Sequence, residues 1–119
     1  MTTIHRMTLN RLLSPIEHQA LFALKESLLY DVEFVQEIFL FGSAARGEAT
    51  DESDIDLLVL TSRPLSYNER HQITAATTDI NLEYETTFSS LVVDRKAWEQ
   101  GAISYLPIKA NIEREGVPV

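Results

Sequence analysis

A chain of 119 residues, 45% of them hydrophobic and 24% charged, fits one compact domain and has a globular rather than a disordered composition. Its net charge of −8 repels phosphate backbones, which disfavours nonspecific binding of DNA or RNA. It contains no cysteine, which excludes disulfides and thiolate metal sites and suits a reducing cytoplasm.

Several features of other protein classes are absent from the sequence. No run of 18 apolar residues is present, so no transmembrane helix is predicted. The first 13 residues lack the continuous apolar stretch of a signal peptide. The histidines share no metal-ligand spacing, so we expect them at the surface: His5, His18 and His71. We therefore expect residues 1–119 to form a single cytoplasmic domain.

The first predicted element is a helix from about residue 15 to residue 29. Ser14 is a candidate N-cap, Pro15 suits the first helical position and Glu17 completes a capping box. Apolar residues recur every four positions behind it, which predicts one stripe facing the core: Ile16, Ala20, Leu24 and Leu28.

Strands and a second long helix are predicted in the middle of the chain. Residues 37–41 and 55–60 are short apolar runs typical of buried strands, and residues 86–93 are rich in β-branched types. Before this third strand, a capping box formed by Ser66 and Glu69 begins a helix. Its inward positions keep helical spacing: Ile73, Thr77, Ile80 and Tyr84.

Two short helices are predicted at the end of the chain. Asp94 can cap the first, whose Trp98 we expect in the core or facing a partner. The second carries Ile108 and Ile112 and closes at Gly116; core is the default for both isoleucines, with a dimer or partner contact as the alternative. The order of elements predicts an α/β (α+β) fold, a small mixed β-sheet flanked by helices.

The most informative motif connects the first two strands. Gly42-Ser43 follows the first strand, and ten residues later Asp54-x-Asp56 opens the second. Gly42 permits a sharp turn whose N–H groups can approach a phosphate, and Ser43 adds a hydroxyl donor. Asp54 and Asp56 leave the same strand face, about 6.5 Å apart at Cα, so both can bind the same hard cations. Two such ions would bridge a triphosphate and activate a nucleophile.

Each part of this motif also has a simpler explanation. A Gly-Ser pair is often only a turn, and Asp-x-Asp is often only a solvated strand end. The apolar strands on both sides favour the functional interpretation, because crowded acids repel each other unless a cation lies between them. Arg46 could contact a phosphate or pair with Glu48 or Asp51, and both alternatives stay open.

The spacing of these two motifs resembles the signature of the polymerase β-like nucleotidyltransferase superfamily. Residues 45–47 and 53–57 resemble its small branch, the minimal (MNT-type) nucleotidyltransferases, and the strong resemblance covers residues 39–60. It implies a nucleotidyltransferase fold and a Mg²⁺-dependent enzyme that uses ATP or another nucleoside triphosphate. Ser43 would bind the triphosphate with Gly42 and Arg46, and the catalytic Asp54 and Asp56 would hold two metal ions.

The same resemblance implies a biological role. Minimal members are often paired with a HEPN-domain protein, a candidate RNase toxin, and act as antitoxins, in some cases by attaching AMP to a tyrosine of that partner. One alternative is a catalytically weak or inactive nucleotide-binding antitoxin that neutralises its partner by binding. Another is transfer to an aminoglycoside-like small molecule, which the short chain disfavours. A homo-oligomer is also open.

The sequence departs from the superfamily pattern at the third carboxylate, which normally comes from a later strand. Ser89 and Ser90 occupy the expected place on the third predicted strand. Glu85 could serve if that strand begins earlier, and Asp94 lies just past its end. Without a third acid the general base would be missing, which favours a slow enzyme or a nucleotide-binding protein.

Overall fold

Ten elements of secondary structure follow one another in the described part of the computed structural model, residues 3–119. The side chains of residues 3–7 and of Asp31 are not described, so the predicted surface position of His5 lies outside the description. The elements are α1 (Thr3–Leu12), α2 (Pro15–Asp31), β1 (Val35–Phe41), β2 (Ile55–Thr61), α3 (Tyr67–Tyr84), β3 (Phe88–Asp94), α4 (Arg95–Gln100), a 3₁₀ turn (Ala102–Tyr105), α5 (Pro107–Glu115) and β4 (Val117–Pro118). The sequence patterns did not predict α1, the 3₁₀ turn or β4.

Both long helices begin at the predicted capping boxes. In α2 the N–H of Glu17 donates to the Ser14 hydroxyl at 3.1 Å, and the N–H of Ser14 donates to the Glu17 carboxylate at 2.8 Å. Ser66 and Glu69 make the same reciprocal pair at the start of α3, at 3.2 and 2.9 Å. No helix in the described part of the chain is long and apolar enough to cross a bilayer.

The predicted apolar stripe of α2 is correct in three positions and wrong in one. Ala20, Leu24 and Leu28 are fully buried, whereas Ile16 is 57% exposed. Four residues advance a helix by about 400°, so a strict four-residue repeat rotates about 40° at each step. By that rotation Ile16 has left the buried side, and Leu21 contributes to the core instead.

The strands form one mixed sheet in the order β3-β2-β1-β4. β1 is antiparallel to β2 and to β4, and β2 is parallel to β3, with α3 as the crossover between them. β3 begins at Phe88 rather than at the predicted residue 86. Thr86 belongs to the preceding turn, where its N–H donates to the Asn81 carbonyl and its hydroxyl to the Asn81 side chain.

The two faces of the sheet carry separate cores. Ile55, Leu57 and Val59 of β2 pack in the cluster that includes residues of α1, α2 and α3. The alternate residues Leu58 and Leu60 pack in a second cluster on the other face, with residues of α4 and α5. By the same alternation Asp56 belongs to this second face. The sheet therefore separates the acidic motif from the long helices.

The structure confirms the predicted core residues and helix ends of the C-terminal segment. Trp98 and Ile112 are 6% and 5% exposed in the second cluster, and Ile108 packs against it, so all three contribute to the core. Asp94 caps α4 by accepting the N–H of Ala97 at 3.0 Å. Gly116 ends α5, donating its N–H to the Ile112 carbonyl at 2.7 Å.

Candidate active site

The chain turns sharply where β1 ends at Phe41. Gly42 has φ of +75°, a conformation that residues with a Cβ rarely adopt. Residues 43–48 then form a hydrogen-bonded turn, in which the N–H of Arg46 donates to the Ser43 carbonyl at 3.2 Å and the N–H of Glu48 to the same carbonyl at 2.9 Å. Ala44 is 1% exposed and anchors this turn in the core.

The start of this turn offers unpaired backbone donors. Within the described chain, no hydrogen bond uses the N–H groups of Ser43, Ala44 or Ala45. Successive unpaired backbone N–H groups in a turn can form a concave site that favours anions. The geometry therefore suits the phosphate cradle predicted at Gly42 and Ser43; nucleotide binding itself stays a prediction.

The two acids of the second motif lie together. Asp54 is exposed directly before β2, and Asp56 is half-buried as the second residue of that strand. The pKa of the Asp56 carboxyl is raised, first by its burial and second by the negative charge of Asp54. The like-charge repulsion inferred from the sequence is thus present in the folded chain.

A compact turn positions Asp54. The N–H of Thr50 donates to the Ser53 hydroxyl at 3.1 Å, and the N–H of Ser53 donates to the Thr50 carbonyl at 3.0 Å. The Ser53 carbonyl accepts the Thr87 hydroxyl at 3.2 Å, and the N–H of Ile55 donates to the Thr87 carbonyl at 2.9 Å. These hydrogen bonds join the connection between β1 and β2 to the segment before β3. They therefore fix the backbone position of Asp54, directly before β2.

The two motifs meet at Gly42 and Asp56. Phe41 and Asp56 are register partners on the antiparallel strands β1 and β2. A Cβ built on Gly42 would lie 2.5 Å from the Asp56 Oδ2 atom, closer than any non-bonded contact allows. The glycine is therefore favoured by its positive φ, and a side chain in its place would push the end of the Asp56 carboxylate aside.

The positive φ and the close approach give a first prediction. We expect Gly42→Ala to lower the free energy of unfolding by about 1 kcal/mol from backbone strain, and also to displace the Asp56 carboxylate. Gly47→Ala is the matched control: Gly47 also has a positive φ, of +72°, but its Cβ would meet only the Leu12 side chain at 3.8 Å. Urea unfolding should give similar losses for both variants, whereas only Gly42→Ala should weaken the binding of Mg²⁺ with ATP. Equal binding by the two variants would contradict the close approach.

Arg46 is engaged by carboxylates. Its Nε lies 3.0 Å from Glu48 Oε2, and one terminal nitrogen lies 3.4 Å from Glu115 Oε2. These two hydrogen bonds raise the pKa of the Arg46 guanidinium, with Glu48 first. The pairing with Glu48 is thus observed, and pairing with Asp51 is not among the ion pairs of the described chain. A phosphate contact by Arg46 would require exchange of these partners and stays a prediction.

A serine occupies the place beside Asp56 on the neighbouring strand. Ser89 is the register partner of Asp56 on β3, so its side chain leaves the same face of the sheet. Ser90 leaves the opposite face, where its hydroxyl lies 2.9 Å from that of Thr77 on α3. Of the two serines where an acid was expected, only Ser89 is therefore adjacent to the acidic pair.

The two alternative acids lie elsewhere. Glu85 would serve only if β3 began earlier, and that condition is not met. It ends α3 in the left-handed conformation, with φ of 56°, three residues before the strand. Asp94 pairs in register with Thr61 at the far end of β2, five residues or about 16 Å from Ser89 along the strand. Neither replaces the third carboxylate on β3.

The two carboxylates of Asp54 and Asp56 match the usual coordination of Mg²⁺ better than that of a metal held entirely by protein ligands. In residues 3–119, with the gaps stated above, no three histidine or acidic side chains are grouped to hold a metal ion. Mg²⁺ is commonly bound by one or two carboxylates together with water and substrate phosphates, which fits Asp54 and Asp56. His18 is partly exposed on α2, and His71 is exposed on α3, its ring stacked on Tyr67, so both lie near the surface as expected.

The fold and the two-part site define a nucleotidyltransferase domain, and the comparison with known families agrees. Residues 25–103 match the family described as "Polymerase beta, Nucleotidyltransferase". This span includes β1, β2, β3 and both motifs. The chain belongs to this family, as an MNT-type member of the polymerase β-like superfamily.

Two individual proteins illustrate the relationship. A segment of 58 residues is 31% identical to a Methanocaldococcus jannaschii protein named "Putative protein adenylyltransferase", and it covers 49% of this chain and 59% of that protein. The crystal structure of a "putative nucleotidyltransferase" from Sulfolobus solfataricus has a TM-score of 0.57 and 16% identity, over 99% of this chain and 87% of that one. The first relative is thus similar over part of its length, and the second supports the fold alone.

Proposed function

We propose that this nucleotidyltransferase transfers AMP from ATP to a hydroxyl group of a partner protein, a HEPN-domain toxin, and acts as its antitoxin in the cytoplasm. The observation that carries the proposal is the contact between the Gly42 turn and Asp56, with Asp54 beside it. It brings backbone donors and two carboxylates to one side of the sheet. The name of the Methanocaldococcus jannaschii relative supports a protein as the acceptor.

The turn after β1 would hold the triphosphate. The unpaired N–H groups that begin at Ser43, together with its hydroxyl, can donate to phosphate oxygens. Arg46 lies three residues after Ser43 in the same turn, and its N–H donates to the Ser43 carbonyl. It would approach the phosphates by exchanging Glu48 and Glu115 for them. The triphosphate would thus lie next to Asp56 at the start of β2.

Asp54 and Asp56 would hold Mg²⁺, with ATP and water completing the coordination. When bound, Mg²⁺ neutralises triphosphate charge and polarises the phosphoryl oxygens. The acceptor oxygen forms a bond to the α-phosphorus, the bond from that phosphorus to the pyrophosphate oxygen breaks, and pyrophosphate leaves. With Ser89 next to Asp56, no carboxylate on β3 takes the hydroxyl proton, so it passes to solvent.

The direct test is transfer of label. The chain is incubated with Mg²⁺, a candidate HEPN partner encoded by a neighbouring gene and ATP labelled at the α-phosphate. We expect label on the HEPN protein, and none when the label is at the γ-phosphate, because that phosphate leaves with pyrophosphate. Label from γ-labelled ATP would indicate a kinase, and no label from either would contradict transfer to this partner.

Ligand binding gives a prediction that does not depend on the acceptor. We expect Mg²⁺ and ATP together, at ten times their dissociation constant, to raise the free energy of unfolding by about 1.4 kcal/mol. For a domain of this size that corresponds to a rise in Tm of about 5 °C. A chelator should remove most of the shift. The Asp54→Asn, Asp56→Asn double variant should show little of it, and an equal shift in that variant would contradict the metal assignment.

A binding-only antitoxin is the second candidate, and Ser89 is the observation that favours it. A site without a third acid lacks a general base, so its chemistry can be slow enough that covering the partner is what neutralises it. The discriminating measurement is protection of RNA from the HEPN partner. Equal protection by the wild type and by Asp54→Asn would support binding alone, and loss of protection would support transfer.

A further inference from the structure

The outer face of α2 is an apolar surface that the proposed reaction does not use. Eight large hydrophobic side chains are strongly exposed in the described chain, and four belong to this helix: Ile16, Phe22, Leu29 and Tyr30. A shallow depression of about 710 Å³ runs along it between Phe22 and Tyr30. α2 packs on the face of the sheet opposite to Asp56, so this surface lies apart from the acidic pair.

Charges flank the apolar line in an ordered way. Phe22 and Leu29 are seven residues apart, so they lie almost on one line along the helix. Lys25 and Glu26 lie between them, three and four residues after Phe22. At about 100° per residue they are rotated about 60° to one side of that line and about 40° to the other. The face therefore has an apolar centre, a positive flank and a negative flank.

We propose that this face joins two copies of the chain, with their α2 helices parallel and related by a two-fold axis along the helices. In that arrangement the positive flank of each helix meets the negative flank of the other, so Lys25 faces Glu26 of the second copy twice. Phe22 meets Phe22, and Leu29 meets Leu29. An antiparallel pair would place Lys25 beside Lys25 and Glu26 beside Glu26. The charge pattern therefore selects the parallel pair.

The size of the surface determines the strength of the contact. Phe22, Leu29 and Tyr30 line the depression, whereas Ile16 is rotated about 120° from Phe22 around the helix. The three exposed side chains leave at most a few hundred Å² of apolar area, within the range of an ordinary monomer and below the roughly 800 Å² per partner of a stable interface. The net charge of −8 on each copy opposes association, although salt at about 0.15 M screens charges more than about 8 Å apart. The dimer is therefore weak, with a dissociation constant in the micromolar range.

Single cysteines test the orientation, because the chain has none of its own. Helix axes about 8 to 10 Å apart bring Cα atoms on the contact line to about 5 Å, within disulfide reach. Under mild oxidation Phe22→Cys and Leu29→Cys should each cross-link to itself, and Leu82→Cys, on α3 and 75% exposed in the wild type, should not. Cross-linking only in a mixture of the Phe22 and Leu29 variants would indicate an antiparallel pair and overturn the proposal.

Charge reversal tests the partner. In sedimentation velocity over a micromolar concentration series, Lys25→Glu and Glu26→Lys should each raise the dissociation constant at least tenfold. An equimolar mixture of the two should restore the dimer, because each flank again meets its opposite. A wild-type chain that stays monomeric, or a mixture that does not associate, would overturn the homodimer. A monomer whose Phe22→Glu variant loses binding to the HEPN protein would assign this face to that partner instead. Neither measurement depends on nucleotidyl transfer.

Discussion

Asp56→Asn is expected to lower AMP transfer by about 10³-fold or more. The amide removes a negative ligand from the acidic pair, and the electrostatic stabilisation that a bound metal supplies at a phosphoryl group is worth several kcal/mol, of which about 4 kcal/mol corresponds to 10³-fold. Initial rates with α-labelled ATP and saturating Mg²⁺ measure the change. Asp51→Asn is the matched control, because Asp51 is an exposed acid in the connection before β2. It should retain nearly full activity.

The same substitution should not harm the metal-free fold. The pKa of Asp56 is raised in the folded chain, so the folded state binds this proton more tightly than the unfolded state does. The contribution of Asp56 to the free energy of unfolding therefore falls as the pH rises from the ordinary value near 3.8 through the raised pKa. Asp56→Asn lacks this loss and should be at least as stable as the wild type at neutral pH. An unfolded variant, or one that transfers AMP at the wild-type rate, would contradict the assignment.

Sequence patterns predicted the helix starts and strands that depend on interactions between residues close together in the chain. Ser14 and Ser66 begin helices because each has a glutamate three residues later that completes the capping box. The runs ending at Phe41 and beginning at Ile55 form strands because most of their residues are apolar and can be buried on one face or the other, although Glu37 at the start of the first run is exposed. The two-residue period of a strand also predicts that Asp54 and Asp56 lie on one side, and in the folded chain the charge of Asp54 raises the pKa of Asp56.

Features that depend on distant contacts could not be predicted in this way. β4 has only two residues and exists because they pair with Phe39 and Leu40. The four-residue repeat beginning at Ile16 predicts inward positions, but the neighbours of the helix decide which part of its circumference is covered. Adjacent residues of a strand point to opposite faces, so only the register of β2 with β3 shows that Ser89, and not Ser90, lies beside Asp56.

The close approach of Gly42 to Asp56 depends both on local sequence patterns and on the pairing of distant residues. The sequence predicts a glycine turn and a pair of acids, each from local pattern. The pairing of Phe41 with Asp56 brings them together, and it follows from the antiparallel register of β1 and β2. Ten residues connect Gly42-Ser43 to Asp54, which is long enough to hold a turn at each end and short enough to keep the strands adjacent. The connection therefore sets the geometry of the site, and its first residues also supply backbone N–H donors.

Ser89→Asp is the second substitution with a large expected effect, in the opposite direction. Neighbouring strands lie about 4.8 Å apart, so a carboxylate at position 89 would stand beside Asp56 on the same face, within reach of an attacking hydroxyl. General base catalysis contributes about 10²- to 10⁴-fold in enzymes, and we expect AMP transfer to rise by about 10²-fold. Ser89→Asn, nearly the same shape without the base, should transfer at the wild-type rate.

The added acid also has an electrostatic cost that the experiment must account for. A third negative charge raises the pKa of Asp56 further and lowers the stability of the metal-free chain, because like charges then crowd one face. The gain should therefore appear at about pH 8 with saturating Mg²⁺ and shrink as the pH falls and protonation competes with metal binding. Equal rates for Ser89→Asp and Ser89→Asn at that pH would show that a missing base at this position is not what limits transfer.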